Sequence, residues 1–415
     1  MAGRPTRGDV TDGPGKGAQF PVALVLCGIL AMALDIGAAR LTYGAVLPSL
    51  SVDLGLSFTA AGVLSAVNLA GYLLGTLAAP RLGKACGMPW LAFAGHAVVA
   101  CGAAVSGFAT EPISLGVGRA LMGLGAGVGL VALFVVVFAR TPASLRPMVS
   151  TMIWSGIGLA LVATGVLLPY ELGAGQWRHA FLVAAVLGVA VTIGLRPGAW
   201  EATRVIHQAD AAAEAGRGRA GVWRWIPLCS AYFMFGIAYI AYSTFAGARL
   251  ASSGVSMTVA STSWIVLGLA TIAGCILAAL LLTSPAIRKS ALSGALFSGA
   301  VGAWLAGFDG APHPLLASVF VGLGLASTPA IITAYVRQRT SDSGYARAFS
   351  LATASLGIGQ FVGPVLGGML ADRFGSGAIT SFAAASYALG TVFALADAAF
   401  AHEVKAAAFL GQRQE

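Results

Sequence analysis

Residues 22–47 read VALVLCGILAMALDIGAARLTYGAVL, a continuous apolar run that carries only two charges, Asp35 and Arg40. A helix needs about 20 such residues to cross a bilayer. The run is long enough to span, and too long for the apolar core of a signal peptide. An ionised side chain at mid-bilayer costs about 3 kcal/mol or more, so the two charges demand a partner or a function. The rest of the chain has the same character. Of its 415 residues 58% are hydrophobic and 9% charged, and the mean hydropathy is +0.85. So few charges cannot clothe a soluble multidomain enzyme, and so apolar a chain is not disordered.

Apolar runs set against charged or Pro/Gly breaks predict twelve spans. They are 22–47, 58–79, 88–108, 113–138, 148–170 and 179–195, then 226–247, 259–283, 290–308, 315–336, 348–371 and 379–400. The longest polar gap separates six from six. The expected organisation is a cytoplasmic tail over 1–21, a six-helix bundle over 22–195, a cytoplasmic linker over 196–225, a second bundle over 226–400 and a cytoplasmic tail over 401–415. Of the 24 Lys and Arg residues, 19 fall on the side of the N-terminus. Three lie in the opposite loops (Arg178, Arg249 and Arg373), and Arg40 and Arg119 lie inside spans. That bias predicts both termini in the cytoplasm and the chain in the cell (inner) membrane. The net charge of +9 thus reports topology and not a nucleic-acid partner. Five cysteines, none in a C-x-x-C pair, predict neither a disulfide framework nor a metal site.

The two halves repeat. Gly156-Ile157-Gly158 recurs as Gly357-Ile358-Gly359, Gly123-Leu124-Gly125 as Gly322-Leu323-Gly324, and Arg140-Thr141 as Arg339-Thr340, all at offsets near 200 residues. Tyr43 falls opposite Tyr242, and Arg40 opposite Tyr239. Two parallel repeats of six helices are a known transporter plan. The fourth span carries Arg119-x-x-x-Gly123-x-Gly125-x-Gly127, and the eleventh carries Gly363-Pro364-x-x-Gly367-Gly368-Met369-Leu370-Ala371-Asp372-Arg373-Phe374-Gly375. Trp177-Arg178-x-x-Phe181 opens the sixth. Over residues 20–400 the chain resembles the major facilitator superfamily, in a bacterial branch of mostly unassigned substrates. The loop after the second span departs from the superfamily pattern, with Pro80-Arg81-Leu82-Gly83-Lys84 where an acid is usual, and the fifth span lacks the Gly-Pro pair of drug–proton antiporters. The resemblance implies an all-α fold of 12 transmembrane helices in two pseudo-symmetric bundles around a central cavity. It also implies alternating access and an inner-gate loop at Arg81, Gly83 and Lys84.

Asp35 is the expected proton-coupling acid, the carboxylate nearest mid-membrane in either half. At ~100° per α-helical residue, Arg40 falls about 140° and Tyr43 about 80° from Asp35. Arg40, Tyr43, Arg119, Tyr239, Tyr242 and Gln360 are the candidate substrate residues, since Arg binds carboxylate or phosphate in two-pronged fashion. For Arg119 the alternative is a tie to backbone carbonyls, for Arg40 a structural role, for Asp35 a static tie to an arginine, for the tyrosines packing and for Gln360 interhelical glue. His96 reads as structural, because the third span resembles a peripheral helix. There is no Walker motif, no H-E-x-x-H and no G-x-S-x-G. The expected function is a monomeric secondary transporter, not an enzyme. It would move a small, anionic organic solute with protons, in contact with lipid and without cofactor or metal. A drug or metabolite efflux antiporter and a non-transporting membrane sensor remain alternatives.

Overall fold

A computed structural model describes residues 21–171, 176–197, 223–284, 290–310, 312–340 and 342–411. The tail expected over 1–21 and the linker expected over 196–225 fall largely outside the described residues. Twelve apolar helices run in chain order: α1 Val22–Leu54, α2 Phe58–Cys86, α3 Met88–Gly107, α4 Pro112–Arg140, α5 Arg146–Glu171, α6 Trp177–Gly194, α7 Ile226–Ser252, α8 Met257–Thr283, α9 Ala291–Leu305, α10 His313–Arg339, α11 Asp342–Phe374 and α12 Gly377–Gly411. All but the 15-residue α9 are long and apolar enough to cross a bilayer. α12 continues past the last expected span as far as Gly411, into the segment expected as the C-terminal tail.

Two helices are not uniform. Ala33–Leu41 of α1 forms a π-helix, flanked by α-helical Val22–Met32 and Thr42–Leu54. Within it, residues five apart stand one turn apart, so Asp35 and Arg40 share a face. The α-helical angle of about 140° between them therefore does not hold. The Thr42 hydroxyl follows the π register and donates to the Gly37 carbonyl. α10 breaks between Leu325 and Ser327. Pro329 explains the break, since it lacks an N–H and crowds the carbonyl four residues earlier, that of Leu325.

Glycine sets how closely the helices approach. On α4, a Cβ at Gly123 or Gly127 would lie 1.9 or 2.2 Å from the carbonyl oxygens of Asn68 and Tyr72 on α2. A Cβ at Gly125 or Gly129 would strike Gly95 or His96 on α3. In each half the fifth helix presses a glycine on the first, Gly156 of α5 on Ile29 of α1 and Gly359 of α11 on Phe233 of α7, although in the repeat Gly156 pairs with Gly357. At the ends of α4 and α10, the repeat mates Thr141 and Thr340 donate to the carbonyls of Val137 and Val336.

The halves meet mainly toward the face away from the N-terminus, here the distal face. Gly44 of α1 and Gly247 of α7 sit backbone to backbone, and Gly62 and Phe58 of α2 abut Pro364 and Gly368 of α11. The Ser65 and Thr244 hydroxyls are 3.0 Å apart, and Ser261 donates to the Gly165 carbonyl between α8 and α5. The carboxylate of Asp372, at the end of α11, accepts the backbone N–H groups of Phe58 and Thr59 at 2.8 and 2.9 Å. It therefore caps the N-terminus of a helix in the other half.

Arg81, Gly83 and Lys84, expected in a loop, instead form the last turns of α2. The chain turns only at Gly87, whose φ of +85° suits glycine.

Candidate functional site

The polar residues of the N-terminal half converge on the π-helical turn of α1. Arg119 of α4 is fully buried. Its Nε donates to the Leu64 carbonyl at 2.9 Å, its Nη1 reaches the Ala39 carbonyl at 3.5 Å, and its guanidinium lies 3.8 Å over the Tyr43 ring. Asn68 donates to the Arg119 carbonyl and Tyr43 to that of Ala61. Arg119 and Tyr43 therefore tie α1, α2 and α4 together, the alternative weighed above for this arginine.

Arg40 is held differently. It is 4% exposed, and its guanidinium stacks 4.7 Å over the Tyr72 ring of α2. Its Nη1 is 3.4 Å from the Tyr239 hydroxyl of α7, in the other half. Gln360 of α11 donates its amide N–H to that same hydroxyl. Nε and Nη2 of Arg40 have no hydrogen-bond partner. A buried guanidinium with two idle donors is costly unless something binds it. Arg40 and Tyr239, equivalent positions of the repeat, thus face each other across the seam. Tyr239 also stacks on Phe235, with ring centroids 4.8 Å apart.

Tyr242 lies elsewhere. Together with Phe245, Trp264 and Arg249 it lines a pocket inside the C-terminal half, near the distal face.

Asp35 forms no ion pair with either arginine. Its Oδ2 lies 3.1 Å from Nε2 of His96 on α3, and both side chains are wholly buried. The other ring nitrogen of His96, Nδ1, lies 2.7 Å from the Ala92 carbonyl. The sequence signal for His96 was a titratable ring in an apolar run, and what it lacked was the partner. The partner stands on the π-helical segment of α1, across an interface that no spacing rule anticipates. No group of three or more His, Cys, Asp or Glu fit to hold a metal occurs among the described residues.

A twelve-helix fold with paired bundles, close glycine contacts across the seam and buried charges at mid-membrane has the build of a transporter. The family described as uncharacterised MFS-type transporter YbfB matches residues 31–396. The chain belongs to that family. It is a multi-pass membrane transporter of the major facilitator superfamily, not an enzyme. Comparison with curated proteins gives no match. Among solved structures, it is similar to the nucleoside transporter NupG, at 14% identity and a TM-score of 0.68, with 92% of this chain and 99% of that one covered. It is also similar to a bacterial homologue of the human lysosomal transporter Spinster, inward-facing and occupied, at 17% identity and a TM-score of 0.68, covering 91% and 94%. A D-xylose–proton symporter matches at 16% identity and a TM-score of 0.69, covering 90% and 97%. At these identities the likeness is one of fold.

Proposed function

We propose that this transporter carries a small organic anion by alternating access, coupled to protons through Asp35, and that Arg40 receives the anionic group. The observation that carries the reading is the pair of idle donors, Nε and Nη2, on a buried Arg40 at the seam. A carboxylate or phosphate fits that fork in two-pronged fashion. Tyr239 and Gln360, from α7 and α11, hold the far side, so the solute bridges the halves. Arg119, with Nε and Nη1 turned to backbone carbonyls and only Nη2 unpaired, has no such fork to offer and adds mainly charge to the site.

The closed distal seam supports one end state of the cycle, in which the site is reached from the face bearing the termini. That face is cytoplasmic in this reading, as the bias of 19 to three basic residues favours. The bundles over 22–195 and 226–400 are then the two rocking bodies. The site is complete within one chain, which makes the monomer the working unit.

Counterflow in proteoliposomes with radiolabelled lactate, benzoate and succinate tests the proposal. Saturable exchange of at least one is expected, and Arg40→Lys lowers it at least tenfold, because a point charge replaces the fork. Exchange unaffected by Arg40→Lys for every transported anion would overturn it.

A further inference from the structure

His96 has the geometry of a proton ligand. Its Nδ1 is 2.7 Å from the carbonyl oxygen of Ala92, which can only accept, so Nδ1 carries a hydrogen. The remaining nitrogen, Nε2, lies 3.1 Å from Oδ2 of Asp35, and neither atom has any other partner. Two lone pairs at that distance repel, so a hydrogen belongs between them. It can sit on the carboxyl or on the ring, and either way the pair holds one proton and is neutral overall. Losing that proton leaves a net charge of −1 in a sealed, apolar site.

The surroundings decide where that charge is compensated. On α4 the residues opposite are Gly125 and Gly129, and no titratable residue occurs between Arg119 and Arg140. On α6 none occurs between His179 and Arg196, and on α5 none between Arg146 and Tyr170. From α2 the titratable neighbour is Tyr72, whose ring lies under the Arg40 guanidinium. From α7 it is Tyr239, bonded to Arg40. From α1 itself it is Arg40, one π-turn from Asp35. The cation one π-turn from Asp35 on its own helix is therefore Arg40, with Nε and Nη2 unpaired, whereas Arg119 of α4 keeps only Nη2 unpaired, its Nε and Nη1 being held by backbone carbonyls.

We propose that Asp35 and His96 form a single proton-binding site, and that its proton keeps the carboxyl away from Arg40 so that the guanidinium is free for the solute. The inference rests on the anion reading above and deepens it. With the proton bound, Arg40 and Arg119 leave the site at +2, and an anion is drawn in. With the proton gone, Asp35 competes for Arg40 and the anion is released. Proton and anion therefore bind together and leave together, which is symport. The proton comes from solvent and returns to it, with no other bond made or broken.

The test needs no solute. The full chain in lipid nanodiscs, with His179, His207, His313 and His402 replaced by Gln, carries His96 as its one histidine. Nitrogen NMR then follows the ring, and infrared difference spectroscopy follows the protonated carboxyl, through a pH titration. The expected result is one shared transition, in which the ring and carboxyl signals change over the same pH interval. Asp35→Asn displaces the ring transition, and Arg40→Gln moves the shared transition upward by at least about one pH unit, since it removes a charge that favours the bared carboxylate. Ring and carboxyl signals that change over separate intervals would overturn the single site. A shared transition unmoved by Arg40→Gln would overturn the competition. If Asp35→Asn does not fold, the coincidence of the two signals in the unsubstituted pair decides alone. A failed titration strikes the proton site, whereas absent counterflow strikes the transport reading.

Discussion

Two buried arginines sit side by side in the site, and their hydrogen bonds assign them opposite roles. Arg119 donates to carbonyls of α1 and α2 and packs on Tyr43, so its removal loses those ties between the helices and leaves a gap over Tyr43. A hydrogen bond from a charged donor is worth about 1.5–3 kcal/mol. Arg119→Leu should therefore lower the melting temperature in detergent substantially, and Arg119→Lys less, because an ammonium still donates to one carbonyl. Arg40 keeps Nε and Nη2 unused. Replacing a poorly paired buried charge by a neutral group is often neutral or stabilising. Arg40→Gln should thus hold or raise the melting temperature while abolishing counterflow of anions. If both arginines prove equally needed for melting, the distinction drawn from their hydrogen bonds fails. Asp35 and His96 show what spacing alone can and cannot convey. That Asp35 is buried and consequential follows from one carboxylate in an apolar run. That its partner is His96 follows only once nine residues adopt the π form and α3 comes within reach.

At the level of helices, the glycines of α4 and the end of α11 set the geometry. A Cβ at Gly123 would lie 1.9 Å from the Asn68 carbonyl oxygen, an atom of rigid backbone. Overpacking of this kind costs about 1–3 kcal/mol, so Gly123→Ala should lower the melting temperature by separating α2 from α4. Gly129→Ala is the more informative change. Its Cβ would meet the His96 ring at 2.9 Å and turn it from Asp35, so it should alter the pH dependence of transport more than the melting temperature. At the distal face, Asp372 accepts two N–H groups of α2, where the helix dipole also favours an anion. Losing such a cap costs about 1 kcal/mol, a several-fold change in an equilibrium. Asp372→Ala should shift the population toward distal opening, read as a longer distance between spin labels at Val52 and Met257. Ser114→Ala removes a hydrogen bond to Glu111 at the start of α4, within one half, and should leave that distance unchanged. The sequence exhibits the Gly-rich end of α11, but that its Asp caps α2 depends on how the halves close.

The whole molecule was legible in outline because bilayer physics is blunt. Runs of about 20 apolar residues, a charge bias and a repeat near 200 residues suffice for twelve helices in two halves. What stayed hidden were local departures from α-helical regularity, in the π-turn of α1 and the break in α10, and the helical course of Arg81 to Lys84. Prolines are ambiguous in sequence, since Pro329 breaks α10 while Pro80 and Pro364 lie inside unbroken helices, and the π-turn has no signature in residue spacing. The seam itself yields the final expectation. Gly44 and Gly247 bring α1 and α7 together, and a Cβ at Gly44 would lie 1.8 Å from the Ser243 carbonyl oxygen. Neither neighbour can move aside, because both atoms are helix backbone. The contact joins the two halves and not the helices of one bundle, so a bulkier residue there should spare each bundle and forbid only the distal closure. Gly44→Val should accordingly fold, lengthen the distance between labels at Val52 and Met257, and arrest counterflow. Gly294→Val is the control, since nothing stands within 4 Å of a Cβ there. If Gly44→Val transported normally with the distal distance unaltered, the closed seam would not be a state of the working cycle.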